Sequence, residues 1–344
     1  GFKRALELKP GDAGAFNNLG LLRADQARHS EALEYFAAAH AEHGWLFTLN
    51  YHPEVAPETL TDAYKAWGSR HAAPLRATWP AYPAVRAPKE RLRVGVVSYD
   101  LRHHSMTHFL LPALANLDPA RIELHLYYNA DKIDAVTARY QALTKHFVRI
   151  SDMDDTTAAA RIAADGIDVL VDASGHTSGN RLTLFARKPA PVQVTWLAYG
   201  TTTGMDAIDW FLADERFVPP GGEKYFTEGV WRLPAAFCYA PPEALPPVAP
   251  LPATKDGAIT FGCFSRTIRL NDRTLEVWGS ILRRLPDCRL MLDSIPFTCP
   301  VTRADFENRL IRFGARRRQL ALGYTTPQPR VWDAYSQVDV ALDP

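Results

Sequence analysis

Little in this chain calls for a covalent staple, a membrane or a polyanion. The four cysteines, Cys238, Cys263, Cys288 and Cys299, are widely spaced and form no C-x-x-C pair beside clustered histidines. That excludes a disulfide framework and a sequence-local zinc site and favours a reducing compartment, the cytoplasm. No run approaches the roughly 18 apolar residues of a membrane helix. No secretory leader is visible, although the chain opens on Gly1 in the middle of a repeat pattern. Basic and acidic residues number 39 and 38, for a net charge of +1. Bulk charge therefore draws the protein to neither nucleic acid nor an acidic membrane, and partners must be sought at local sites. No acidic D-x-D metal motif stands at a convincing strand end. What is present is size: 344 residues, 47% of them hydrophobic, enough for about two to three domains with cores of their own.

Residues 1–44 carry a helical-repeat signature. In the 34-residue tetratricopeptide pattern an aromatic precedes Leu-Gly, followed by a small residue, an aromatic and another small residue at fixed offsets. Phe16, Leu19, Gly20, Ala32, Phe36 and Ala39 occupy those places, and Phe2, Ala5 and Pro10 fit the preceding half unit. One unit cannot bury its own faces, so further repeats are expected before Gly1. An amphipathic helix is predicted from His52 to about Arg76, with Leu60, Tyr64, Trp67 and His71 as core positions. Prolines from Pro74 to Pro88 then end the helical region.

Short apolar strands next alternate with helices. Strands are predicted at 92–98, 122–128, 146–149, 169–172, 192–197 and 210–213, and helices at 109–115, 135–143 and 157–164. This rhythm predicts a parallel sheet covered on both faces. A proline-dense linker at 239–256 resists regular structure. Alternation restarts beyond it, with strands at 259–263, 289–292, 320–322 and 338–342 and helices at 275–283, 303–313 and 331–335. Two α/β lobes joined in this way suit a nucleotide-type ligand held between domains.

In an open parallel sheet, ligands sit beyond the carboxyl ends of the strands. The polar turn after the first strand groups His103, His104 and His108 there. The loop DASGHTSGNR, 172–181, presents His176 and Thr177 at the rim. Its glycines let backbone approach a ligand but serve a plain turn equally well, and their spacing is neither Rossmann nor Walker. The loop LAYGTTTG, 197–204, offers threonines and amides suited to sugar hydroxyls or phosphate oxygens. FGCFSRTIRLND, 261–272, puts Arg266 and Arg269 between a strand and a helix. A guanidinium and a helix amino end can neutralise a diphosphate there; two solvated surface arginines are the alternative.

Together these segments resemble one family. DASGHTSGNRLTLFARKPAPVQVTWLAYGTTTG (172–204), RLPAAFCYAPP (232–242) and FGCFSRTIRLNDRTLEVW (261–278) are similar to the bacterial relatives of O-linked N-acetylglucosamine transferase, a group that includes SPINDLY-type protein O-fucosyltransferases. The resemblance implies an α/β two-lobed GT-B fold with Rossmann-like lobes, preceded by an all-α tetratricopeptide segment and with the second lobe truncated. The expected division is a repeat end at 1–45, a helical connector at 46–88, the N-terminal lobe at 89–238, the linker at 239–256 and the start of the C-terminal, nucleotide-sugar lobe at 257–344. The family's Gly/His/Thr-rich donor loop would lie beyond this chain, and a chain with so open a lobe is expected to aggregate and to be inactive alone.

The activity implied is inverting transfer of N-acetylglucosamine from UDP-GlcNAc to Ser or Thr of proteins. Protein O-fucosyltransferase, N-glucosyltransferase and an inactive repeat scaffold with vestigial lobes are the alternatives. His104 falls on the active-site histidine of the family's D-F-R-x-H-P-type turn. His176 and Thr177 fall in its H-T loop near sugar and phosphates, and Tyr199, Thr203 and Gly204 in its Y-P-G-T-[ST]-G loop. Arg269 falls on a lysine that contacts the donor diphosphate. Ser105, Gly200 with Thr201, and Arg269 itself depart from the family's residues. Neither cofactor nor metal is expected. Acceptor proteins would lie along the repeats, with no nucleic acid and no membrane as partners.

Overall fold

A computed structural model describes residues 1–83, 88–197, 199–242, 245–326 and 331–344. Parts of the predicted connector (84–87), of the 197–204 loop (198) and of the linker (243–244) lie outside the described residues. Two compact units divide the chain: Gly1–Val55 with Glu243–Pro344, and Ala56–Pro242.

The first unit begins with helices α1 (Phe2–Leu8), α2 (Ala13–Asp25), α3 (His29–Ala38) and α4 (Glu42–Leu49). Asp12 starts α2 by accepting the Ala15 N–H at 2.8 Å. A Cβ on Gly20 would stand 2.7 Å from the Phe36 ring, and one on Gly44 2.8 Å from it. The two glycines let α2 and α4 close on one fully buried aromatic.

The second unit opens with α5 (Pro57–His71), followed by a separate 3-10 turn, Ala73–Thr78. The predicted single helix to Arg76 is thereby corrected: Pro74 has no N–H to continue the α-helical ladder. Then come β1 (Leu92–Ser98), α6 (Thr107–Ala115), β2 (Ile122–Tyr128), α7 (Ala135–Ala142), β3 (His146–Arg149), α8 (Asp155–Ala164), β4 (Val169–Asp172), α9 (Leu182–Phe185), β5 (Val192–Thr195), β6 (Trp210–Ala213) and β7 (Gly229–Arg232). All pair in parallel in the order β3-β2-β1-β4-β5-β6-β7. Leu110, Leu114, Leu126, Tyr140 and Val171 are among the buried residues that join sheet to helices. The edge strand β7 was not among the predicted strands.

The chain then returns to the first unit with α10 (Ala253–Asp256), β8 (Thr260–Cys263), α11 (Asp272–Arg284), β9 (Arg289–Asp293), α12 (Pro300–Arg312), β10 (Leu320–Gly323), α13 (Val331–Tyr335) and β11 (Val340–Ala341). α10 places a helical turn inside the stretch predicted to be irregular. These strands form a second parallel sheet, ordered β10-β9-β8-β11. Asn271 caps α11 by accepting the Thr274 N–H, and Leu275, Trp278, Gly279 and Leu282 recur along its buried face. That face joins Leu290, Leu292, Phe297, Phe306 and Leu310 in one core, to which Ala27, between α2 and α3, also belongs.

Candidate active site

Strand order reverses direction between β1 and β4 in one sheet and between β8 and β11 in the other. Such switch points splay the connections apart and leave a crevice beyond the strand ends. The histidine turn and the DASGHT loop leave β1 and β4, at the first switch point. The arginine turn leaves β8, at the second.

The histidine turn is held from several sides. Asp134, the N-cap of α7, accepts the His103 N–H at 2.9 Å, and Thr107 donates to the Arg102 carbonyl at 2.9 Å. Asp100 is buried at the base of the turn, 3.3 Å from Arg102 Nη2 and 3.6 Å from His104 Nδ1. Burial pushes the Asp100 carboxyl up, against the pull of His104 and Arg102. His104 itself is exposed, as is His103. Two groups compete for His104 Nδ1. The Met106 N–H, 3.3 Å away, meets a lone pair there, whereas Asp100 would accept a proton from it. Only the second arrangement leaves Nε2 a lone pair with which to take a proton from a substrate. His108 does not join this group: within α6 its ring donates to the Ala240 carbonyl at 3.2 Å, so the expected convergence of three histidines is corrected to two.

His176 is expected at the rim and is instead 1% exposed. Gly175, at φ 52°, turns the chain inward after β4. The His176 ring then lies 4.8 Å from Tyr64, 4.7 Å from Trp67 and 5.8 Å from Tyr199, and its Nε2 donates to the Thr203 carbonyl at 2.9 Å. Tyr64 and Tyr199 hydroxyls meet at 2.5 Å. Thr177 is partly exposed and its hydroxyl donates to the Ser174 carbonyl at 2.6 Å. Thr203 and Gly204 are buried, and a Cβ on Gly68 of α5 would fall 1.9 Å from the Gly204 carbonyl oxygen. The two loops and α5 thus form one packed block, in which His176 sets the position of the 199–204 loop. Sequence spacing places Tyr64 and Trp67 in a core but does not say that the core lies beneath this loop.

Glu228, which no motif singled out, holds the same loop from below. Its carboxylate accepts the Thr203 N–H at 2.8 Å, the Thr202 hydroxyl at 2.6 Å and the Thr203 hydroxyl. Asp172, at the end of β4, accepts the Thr195 hydroxyl and the Ser174 and Gly175 N–H groups. Burial pushes both carboxyls up, Asp172 to about 6, with Glu228 adding to the rise and the hydrogen bonds opposing it. A carboxyl that titrates higher in the folded than in the unfolded chain adds stability below its unfolded value and loses it as pH rises through its folded value. For Asp172 that window runs from 3.8 to about 6. A gap of this size corresponds to about 3 kcal/mol. The melting temperature should therefore fall across this window, and Asp172→Asn, which keeps the shape and can still bond Thr195, should flatten the fall. A variant with the wild-type slope would show that Asp172 is not the group responsible.

In the other unit, Arg266 precedes and Arg269 ends the 3-10 turn Thr267–Arg269. Arg269 is 46% exposed at its side chain, with Asp343, just past β11, 3.9 Å from Nη1. Arg266 faces the helices: its guanidinium lies over the Phe47 ring at 5.6 Å and attracts the carboxylate of Asp25. At the α11 amino end Asn271 occupies the Thr274 N–H.

Among the described residues one trio of metal-type side chains gathers, Glu123, His125 and His146, at the start of β2 and β3. Its carboxylate is already met by His125 at 3.0 Å, Arg93 at 3.3 Å and Arg91 at 3.5 Å, which makes it an ion-pair cluster of the sheet. No helix among the described residues is long and apolar enough to cross a membrane.

Two parallel sheets flanked by helices, each with a polar or basic turn at its switch point, define a GT-B-like fold. The solved structure of an O-GlcNAc transferase mutant from Thermobaculum terrenum matches it with TM-score 0.93 and 34% identity, over 99% of this chain and 66% of that one. The rice protein described as a probable UDP-N-acetylglucosamine--peptide N-acetylglucosaminyltransferase SPINDLY is 34% identical over 310 residues, 87% of this chain and 33% of that protein. A Caenorhabditis elegans UDP-N-acetylglucosamine--peptide N-acetylglucosaminyltransferase is 30% identical over 209 residues, 58% of this chain and 18% of that protein. Residues 70–240 match glycosyl transferase family 41, and the chain belongs to that family. It spans about a third of the length of the curated SPINDLY relatives it matches.

Proposed function

We propose that the protein transfers a sugar, N-acetylglucosamine from UDP-GlcNAc, to Ser or Thr hydroxyls of other proteins with inversion at the anomeric carbon. The observation that carries this reading is the placement of a histidine-carboxylate pair at one switch point and an exposed arginine at the other, in a chain of family 41. The donor assignment is supported by the names of the SPINDLY and Caenorhabditis relatives.

The reaction has two requirements. The acceptor hydroxyl must lose its proton as its oxygen bonds the anomeric carbon, and the bond to the diphosphate must break with the electron pair on phosphate oxygen. His104, in the tautomer that Asp100 favours, accepts the proton at Nε2, directly or through a water. Arg269 neutralises the charge that grows on the diphosphate. Thr177, Tyr199, Thr203 and Gly204 shape the sugar side, with His176 acting from beneath them, while Arg266 secures the arginine turn. Helices α1–α4 are the end of a tetratricopeptide array that takes the acceptor polypeptide in extended form. Residues 1–45, 46–88, 89–238, 239–256 and 257–344 are assigned to repeat, connector, N-terminal lobe, linker and C-terminal lobe, and the protein to the cytoplasm.

This scheme needs no metal, because fixed cationic side chains do the neutralising. Calorimetric titration of the full-length protein with UDP should give the same affinity in excess EDTA as in magnesium. Binding that vanishes with the chelator would refute the metal-free scheme. Absence of binding to UDP and GDP alike would favour a repeat scaffold.

A further inference from the structure

We propose that His29, on repeat helix α3, is a positioning residue for Arg269, so that the repeat helices form part of the machinery that holds the donor diphosphate. The proposal rests on the reading of Arg269 given above. The Thr267–Arg269 turn is short, closed by the Arg269 N–H on the Arg266 carbonyl at 3.0 Å and the Leu270 N–H on the Thr267 carbonyl at 2.9 Å. The intervening Ile268 carbonyl accepts the Nε2–H of His29 at 2.8 Å. His29 is 5% exposed and Ile268 2%. The Ile268 side chain joins Ala24, Ala32 and Phe36 in one buried cluster, against which Trp45, Phe47 and Tyr51 pack. One side chain and one carbonyl thus plug the turn into the repeat.

The carbonyl matters for Arg269 because Ile268 C=O and Arg269 N–H belong to one rigid peptide plane. Fixing the oxygen fixes that plane, and with it the direction in which the chain enters Arg269. His29 is itself a firm reference. Beside it, Arg28 pairs with Asp305 at 2.6 Å, and the Gln26 carbonyl accepts from Arg309 at 2.9 Å, both partners lying on α12. Burial pushes the His29 imidazole down toward its neutral form, against the Ile268 bond and helped by His52 and Arg309; the neutral ring suffices for the bond. The two arginines of the turn therefore divide their tasks. Arg266 lies over the Phe47 ring and attracts the carboxylate of Asp25, and Arg269 is left beside Asp343 at the switch point.

The test is a double-mutant cycle in the full-length protein, read as UDP affinity by calorimetry with melting temperature recorded alongside. His29→Leu should weaken UDP about tenfold, and its cost should fall below about twofold when Arg269→Ala is already present. His29→Gln, which supplies an amide N–H near the position of Nε2–H, should recover most of the affinity. Should His29→Leu fail to fold, Asp25→Asn and Phe47→Leu release Arg266 more gently and should weaken UDP only while Arg269 is present. An unchanged UDP affinity in these variants, or a loss that persists undiminished beside Arg269→Ala, would overturn the proposal and leave His29 a packing residue. A wild-type protein that binds neither UDP nor GDP would overturn the functional reading itself, and this inference with it.

Discussion

Replacing His104 by alanine should lower kcat for sugar transfer by about a thousandfold. Affinity for UDP should stay within about twofold, because in the proposed scheme the imidazole acts on the acceptor's proton and not on the nucleotide. Asp100 is the second half of this prediction. Its carboxylate lies 3.6 Å from His104 Nδ1, buried where it can hold the tautomer that frees Nε2. Asp100→Asn removes the negative charge but keeps the shape, leaving the Met106 N–H as the stronger claimant on Nδ1. That variant should lose about a hundredfold, and the double variant little more than His104→Ala alone, since groups that act as a unit are not additive. The measurement is single-turnover transfer under saturating donor, with the melting temperature as a control for folding. A His104→Ala enzyme within about tenfold of wild type would remove His104 from the chemistry.

Arg269→Ala should lose about a hundredfold to a thousandfold in kcat and also bind UDP more weakly, because a cation facing the diphosphate acts both before and during bond breaking. Arg269→Lys separates charge from shape. A lysine is a compact point charge without the bidentate fork of arginine, and the resemblance of this segment to its family implies lysine at this position. The variant should therefore remain within about tenfold of wild type. If Arg269→Ala kept both wild-type turnover and wild-type UDP affinity, its proximity to Asp343 would be only that of a surface ion pair.

The parts of the fold legible in the sequence are those whose signal is local. Strands such as 92–98 and 122–128 are short apolar runs between polar turns, as burial on both faces of a parallel sheet demands, and they appear at those bounds. β7 escaped because GVWR stands at the sheet edge, where Trp231 is 53% exposed and no apolar run is required. α5 ends before the predicted Arg76 because helical periodicity continues past His71 while Pro74 forbids the backbone pattern.

The candidate site divides along the same line. His104 and Arg269 were legible as polar residues following strands. The groups that hold them were not. Asp134 reaches His103 across 31 positions of sequence, Glu228 reaches Thr203 across 25, and His29 reaches Ile268 across 239. No spacing rule spans such distances. The sequence puts His176 at the rim for the same reason: the loop after β4 says that a turn occurs there, but not that Tyr64 and Trp67 of α5 will cover the ring.

The most direct test of the central claim is mass spectrometry of candidate acceptor proteins after incubation with the full-length protein and, separately, UDP-GlcNAc, GDP-fucose and UDP-glucose. An N-acetylhexosamine increment on Ser or Thr with UDP-GlcNAc, lost with His104→Ala and with Arg269→Ala, is the expected result. A deoxyhexose increment on Ser or Thr, or a hexose increment on Asn, would retain the transferase and change its donor or acceptor. No increment with any of the three donors would contradict the account and leave helices α1–α4 as the functional part of the chain.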